Sequence, residues 1–227
     1  MKNKINSLET LRGLAALIVA MYHFPSTSFL FVEGGYLGVY FFFSLSGFVI
    51  ALNYFQVINS YKSLVKFQVK RFFRIYPVHI FVLFLVLGIQ VLKLIALKFF
   101  NLSTDKEAFT PEYWYTLTDF VNHIFLVQAV TNNGYSLSWN SAAWTISTEF
   151  YSYLIFGLIT LCVRNNRLIF IIISLLFIYF FNIINSLTEI YINHLFLGCL
   201  KFFLTGCIFF FIYEKIKFRL NDIFFII

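Results

Sequence analysis

Charge is scarce in this chain. Lysine, arginine, aspartate and glutamate make up 12% of the 227 residues, 60% are hydrophobic, and the mean hydropathy is +0.83. That leaves too little polar material to coat a water-soluble globule of this length, so a bilayer is the natural solvent. Cysteine is scarce as well. Cys162, Cys199 and Cys207 lie in or at the ends of apolar segments without metal-ligand spacing, which leaves helix packing as their role, and no metal is expected. A clean small-x-small cleavage site is also missing after the first apolar stretch, and Glu9 and Arg12 stand inside or against that stretch. It therefore reads as a retained span and not as a signal peptide.

What the chain does have is phenylalanine, 33 residues of it, in runs with Ile and Leu that supply lipid-facing and packing surface. The net charge of +7 would suit a nucleic acid only if the basic residues formed a solvated face. They are instead grouped between apolar runs, where they set membrane orientation, and no nucleic-acid partner is expected.

At about 20 residues per span, the sequence divides into six runs, 8–24, 36–55, 75–97, 143–163, 168–184 and 194–213, and a seventh begins near Ile223. The expected fold is all-α: a polytopic transmembrane helical bundle of six spans plus the start of a seventh. A single domain over 1–227 is expected, and the short seventh run leads to the expectation that it is incomplete at its C-terminus. Lys2 and Lys4 precede the first run, Lys62, Lys66, Lys70, Arg71 and Arg74 fall between the second and third, Arg164 and Arg167 between the fourth and fifth, and Lys215, Lys217 and Arg219 follow the sixth. All lie on one side if the N-terminus is cytoplasmic, and the opposite loops carry Glu33, Asp105, Glu107, Glu112 and Glu189, as the positive-inside rule requires. A shorter apolar segment, 120–130, cannot span and reads as an interfacial or re-entrant piece of a long outer loop.

Ionisable residues inside spans are costly and call for a partner or a function. Arg12 and His23 are 11 residues apart, which on a helix brings them to within roughly 20° of one face, about 16 Å apart along the axis. The pair reads either as a functional couple or as a snorkelling arginine and an interfacial histidine. Glu149 lies inside the fourth run in a polar turn with Trp144, Thr145, Ser147, Thr148, Tyr151 and Tyr153, read either as a site or as a buried hydrogen-bond network. Ser46 and Gly47, in FSLSGF (43–48), are small residues that let helices approach, which packing alone explains. Arg71 and Arg74 stand one helical turn apart before Pro77, a spacing that grips a phosphate or, more plainly, adds to the positive-inside cluster.

Together these segments resemble the acyltransferase-3 family of membrane-bound acyltransferases. The family's Arg, ten residues, His pattern is met by Arg12 and His23 in LETLRGLAALIVAMYHF (8–24), its F-x-L-S-G-F element by FSLSGF, its R-x-x-R-I-x-P element by RFFRIYP (71–77), and its W-[ST]-[LI]-S-x-E element by WTISTE (144–149). The match runs in order from residue 8 to about 153, and Glu9 and His79 depart from the family's usual residues.

The resemblance implies transfer of an acyl group, most often acetyl, from cytoplasmic acyl-CoA to a hydroxyl of an extracytoplasmic glycan at a bacterial cytoplasmic membrane. On that reading Arg71 and Arg74 hold the donor phosphates, Arg12 binds the donor or stabilises developing charge, and His23 is the general base or carries an acyl-histidine intermediate. Glu149 orients His23 and raises its basicity, while Ser46, Gly47, Trp144, Ser147 and Tyr151 support the site. Two other readings are a transporter or flippase-like protein with Arg12, His23 and Glu149 along a proton or substrate path, and an inactive truncated remnant.

Overall fold

The computed structural model describes residues 6–22, 35–100, 115–130, 138–187 and 194–225. Within them every regular element is helical, as expected where backbone groups in an apolar medium must pair within their own segment. The helices are α1 (Asn6–Tyr22), α2 (Gly35–Tyr54), α3 (Tyr61–Phe100), α4 (Leu117–Ile124), α5 (Trp144–Cys162), α6 (Arg167–Leu187) and α7 (His194–Phe225), with a short 3-10 turn, Ser141–Ala143, leading into α5. Four are long and apolar enough to cross a bilayer, over Leu37–Tyr54, Tyr61–Phe99, Ser141–Cys162 and Phe196–Ile216, and the apolar stretches Thr10–Tyr22 and Arg167–Ile183 are shorter.

Two boundaries differ from the sequence expectation. The third run was expected to begin at residue 75, yet α3 starts at Tyr61 and continues for 40 residues. Hydropathy marks where the apolar surface begins, whereas the helix begins at its cap: Ser63 N donates to Ser60 Oγ at 3.3 Å and Ser60 N to Ser63 Oγ at 3.0 Å, a reciprocal cap that starts the helix ahead of the basic stretch. Lys62 to Arg74 are therefore helical, and Pro77 is absorbed within α3. The second difference is at the end. Ile223 was expected to open a seventh span but belongs to the last turn of α7. The polar residues from Glu214 to Asp222 include no Gly or Pro to stop the helix.

The described residues fall into two compact units. The first comprises Met1–Phe67, Ser152–Ile190 and Leu197–Ile227, the second Gln68–Tyr151 and Tyr191–Phe196. The core of the first is aromatic: Phe43, Phe55, Phe156, Phe170 and Phe203 are fully buried. Phe170 meets Phe55 and Phe156 edge-on at 5.5 and 5.7 Å between ring centres, the geometry that aromatic quadrupoles favour. In the same unit the α5–α6 turn passes through left-handed backbone at Arg164 (φ 49°) and Asn165 (φ 62°). With its amide oriented to donate, Asn165 reaches the carbonyls of Phe55 at 2.9 Å and Ile58 at 3.0 Å and ties this turn to the end of α2.

In the second unit α4 and the turns that follow it, to Val130, coincide with the short apolar segment expected to be re-entrant. Thr116 caps α4, its Oγ1 accepting from Asp119 N at 3.1 Å and donating to Asp119 Oδ2 at 2.6 Å. Phe84 of α3 packs edge-on against Phe120, and Tyr76 Oη donates to Ile124 O at 3.2 Å.

Candidate active site

Arg12 lies half-buried on α1 with its guanidinium 5.0 Å from the centre of the Phe42 ring, a cation–π placement. His23 is outside the described residues, as is the Arg12–His23 face.

Gly47 sits at a close crossing of α2 and α7, and Ser46 beside it is buried. A Cβ on Gly47 would fall 1.9 Å from Phe203 O, and one on Gly206 would fall 1.9 Å from Ser44 O. Ser44 Oγ donates to Phe202 O at 3.1 Å, and Cys207 Sγ to Gly47 O at 3.3 Å. The FSLSGF element is thus a backbone-to-backbone contact in which small side chains are obligatory. Cys207 and Cys199 are buried in the same helix, in the packing role their sequence context suggests.

The polar turn at the start of α5 is largely engaged in holding its own unit together. Ser147 Oγ donates to Leu126 O and accepts from Ala129 N at 3.4 Å, and Gln128 Nε2 donates to Ala143 O at 3.0 Å. Thr145 and Thr148 return their hydroxyls to Ala142 O and Trp144 O. Ser147 is in this way a staple between α5 and the segment after α4. Trp144 is the first residue of α5, Glu149 is half-buried, and Tyr151 meets Phe196 edge-on at 6.4 Å.

Arg71 and Arg74 lie on α3, about 15 and 20 Å along the axis from its first residue. Within the second unit this stretch of α3 runs beside the second turn of α5. Gln68 Nε2 donates to Phe150 O at 3.2 Å, and Phe72 packs edge-on to Phe150 with 6.0 Å between ring centres while stacking on Tyr76. The arginine element and the element ending at Glu149, far apart in sequence, are therefore neighbouring stretches of one compact unit.

Three polar features carried weaker sequence signals. His79 and His123 are both fully buried and stacked, with ring centres 6.1 Å apart at 16°. His79 Nε2 lies 2.8 Å from His123 O and His123 Nδ1 lies 2.8 Å from Asp119 O. Each of these nitrogens must be the protonated donor, since a carbonyl only accepts. Burial pushes His123 below its ordinary value, partly offset by the carbonyls of Asp119 and Asn140, while His79 lowers it further. The i, i+4 spacing of Asp119 and His123 was the available clue. The third is Lys201, within apolar α7, whose Nζ donates to Asn182 Oδ1 at 3.1 Å and lies 5.8 Å from the Phe202 ring centre. A lysine inside an apolar run was itself a signal.

These helices and their polar interior define an all-α membrane protein with several candidate spans. The acyltransferase domain of the acyltransferase 3 family matches residues 5–227, and the chain belongs to that family. It is similar to a protein named O-acetyl transferase from Shigella phage Sf6, 28% identical over 200 residues that cover 82% of this chain and 55% of the relative. The chain thus spans about half the length of that relative. No solved structure matches it.

Proposed function

We propose that the chain is part of a membrane O-acyltransferase that moves an acyl group, acetyl in the simplest case, from cytoplasmic acyl-CoA to a hydroxyl of an extracytoplasmic glycan. The observation that carries this reading is the pairing, in one unit, of the α3 stretch bearing Arg71 and Arg74 with the α5 turn bearing Glu149. Two guanidiniums one turn apart suit the phosphates of a coenzyme A donor. Family membership supports the acyl chemistry. The bilayer arrangement proposed is six spans with the N-terminus cytoplasmic, in a bacterial inner membrane.

In this scheme His23 accepts the proton of the acceptor hydroxyl as its oxygen attacks the thioester carbon, and coenzyme A leaves as the thiol. Arg12 favours the charge that develops at the carbonyl oxygen. Glu149 steadies the imidazole and its positive form. Gly47 fixes α2 against α7 and Ser46 supports it, while Trp144, Ser147 and Tyr151 form and anchor the turn from which Glu149 projects. A neutral imidazole is needed at the start of the step. Mass spectrometry of envelope glycans from cells with and without the protein tests the proposal. Ester-linked acyl groups present only with the protein are expected, and glycans unchanged by its removal would overturn it.

A further inference from the structure

Lys201 is a charge inside an apolar helix that the acyl-transfer scheme does not use. It lies about 10 Å along α7 from His194, within the stretch Phe196–Ile216 that is apolar enough to cross a bilayer. A lysine there is costly unless a partner or a function offsets it. The partner that the protein supplies is neutral, since Nζ donates to Asn182 Oδ1 at 3.1 Å. Among the described residues no carboxylate lies within ion-pair distance of Lys201. Glu214, on the same helix, is held by Arg167, where α6 begins and α7 nears its end.

The groups at this spot are donors. An ammonium has three N–H and no acceptor, so two remain after the bond to Asn182. With Asn182 Oδ1 accepting, the Nδ2 of the same amide offers two more. Phe202 sets the ammonium in place: its ring centre is 5.8 Å from Nζ, and the ring is stacked on Tyr40 with 4.3 Å between centres. Such an arrangement takes an anion. Asn182 is exposed and about 8 Å from the last residue of α6, and a helical side chain leans toward the N-terminus of its helix, here toward His194. Both groups therefore lie near the level of lipid headgroups, which occupy roughly 5–8 Å on each side of the hydrocarbon.

Below this level the surface is apolar and uncovered. The α6 face that carries Asn182 continues through Tyr179, Leu175 and Ile172, which are 62, 52 and 47% exposed, and the α7 face that carries Lys201 continues to Ile212, 47% exposed. We infer that Lys201 and Asn182 bind the phosphate of an anionic membrane lipid, in the leaflet at the His194 end of α7, with its acyl chains along the exposed faces of α6 and α7. The headgroup supplies the counterion that Lys201 lacks within the described residues, and a zwitterionic headgroup would bring an ammonium of its own against that charge. The apolar track selects a lipid over a soluble anion.

The experiment uses the chain in liposomes and reads the site locally, through the fluorescence that a Tyr179→Trp reporter adds over the parent protein. Quenching by brominated phosphatidylglycerol and by brominated phosphatidylcholine gives the relative affinity of the two lipids there. With Lys201 present, phosphatidylglycerol is expected to be preferred by about fivefold, the worth of one lysine near an anionic headgroup. Lys201→Gln should abolish the preference and Lys201→Arg should keep it. Asn182→Leu should reduce it by about twofold or more, and this variant decides the matter if Lys201→Gln does not fold. Millimolar inorganic phosphate should leave the quenching unchanged, whereas loss of the preference in its presence would make this a site for a soluble anion and overturn the lipid. Equal affinity for the two lipids, or a preference that survives in Lys201→Gln, would overturn the site. Reporter fluorescence that neither brominated lipid quenches would show that protein covers this face, which also overturns it.

Discussion

Gly47 shows how narrow the tolerance is at single residues. Any Cβ there would lie 1.9 Å from Phe203 O, a backbone atom that cannot rotate away. Gly47→Ala is expected to destabilise the protein by about 1–3 kcal/mol or more, read as a lowered Tm in detergent. A Tm equal to the wild type would mean that α2 and α7 are not packed as described.

His123 makes a second prediction at this scale. Its folded-state pKa is depressed, chiefly by burial, with the His79 imidazole adding to the effect. The unfolded chain therefore takes up a proton first as pH falls through about 6.5, and from there stability declines with acidification until the folded form also titrates. Asp119, on the same helix, opposes the shift, and its attraction is the smaller effect. Thermal unfolding followed from pH 7 to 5 should show this decline, and His123→Gln should flatten it. The same slope in that variant would assign the pH dependence to other groups.

Among elements, the contact between α5 and the segment after α4 depends on few bonds. Ser147 Oγ serves both Leu126 O and Ala129 N. Ser147→Ala leaves a buried carbonyl unpaired, at a cost of about 1–3 kcal/mol, and should raise hydrogen exchange at the amides of residues 125–130 while exchange in α7 stays slow. Unchanged protection there would remove Ser147 from its role as the staple. Much of this was legible in the sequence: the apolar runs located the long helices, and the 120–130 segment, too short to span, emerged as α4 and its turns. Its capping threonine was legible in principle, three residues ahead of Asp119. The first turns of α3 were not legible from hydropathy, because their lysines and arginines mask the helix, and the local sign of its start is the Ser60–Ser63 cap. Nor could the α2–α7 crossing be read in detail, since small residues suggest close approach without naming the partner carbonyls.

For the whole molecule, the sequence elements that resemble the acyltransferase-3 pattern are divided between the two units. Arg12, Ser46 and Gly47 belong to the first, and Arg71, Arg74, Trp144, Ser147, Glu149 and Tyr151 to the second. Family membership and the membrane-spanning character follow from the chain as a whole, whereas no single motif specifies either. If Arg71 and Arg74 hold donor phosphates, Arg71→Ala/Arg74→Ala should weaken acetyl-CoA binding by at least about tenfold, the loss of charge-assisted hydrogen bonds worth roughly 1.5–3 kcal/mol each. Affinity equal to the wild type would reduce the pair to topology signals.

The central claim is acyl transfer across the membrane with His23 as the base. It is tested most directly by supplying acetyl-CoA labelled in its acetyl group to the cytoplasmic face of membrane vesicles and measuring label in glycan esters. Wild-type membranes should accumulate ester-linked label, while His23→Ala membranes holding the same amount of protein should accumulate none. Equal labelling in the two would contradict the account.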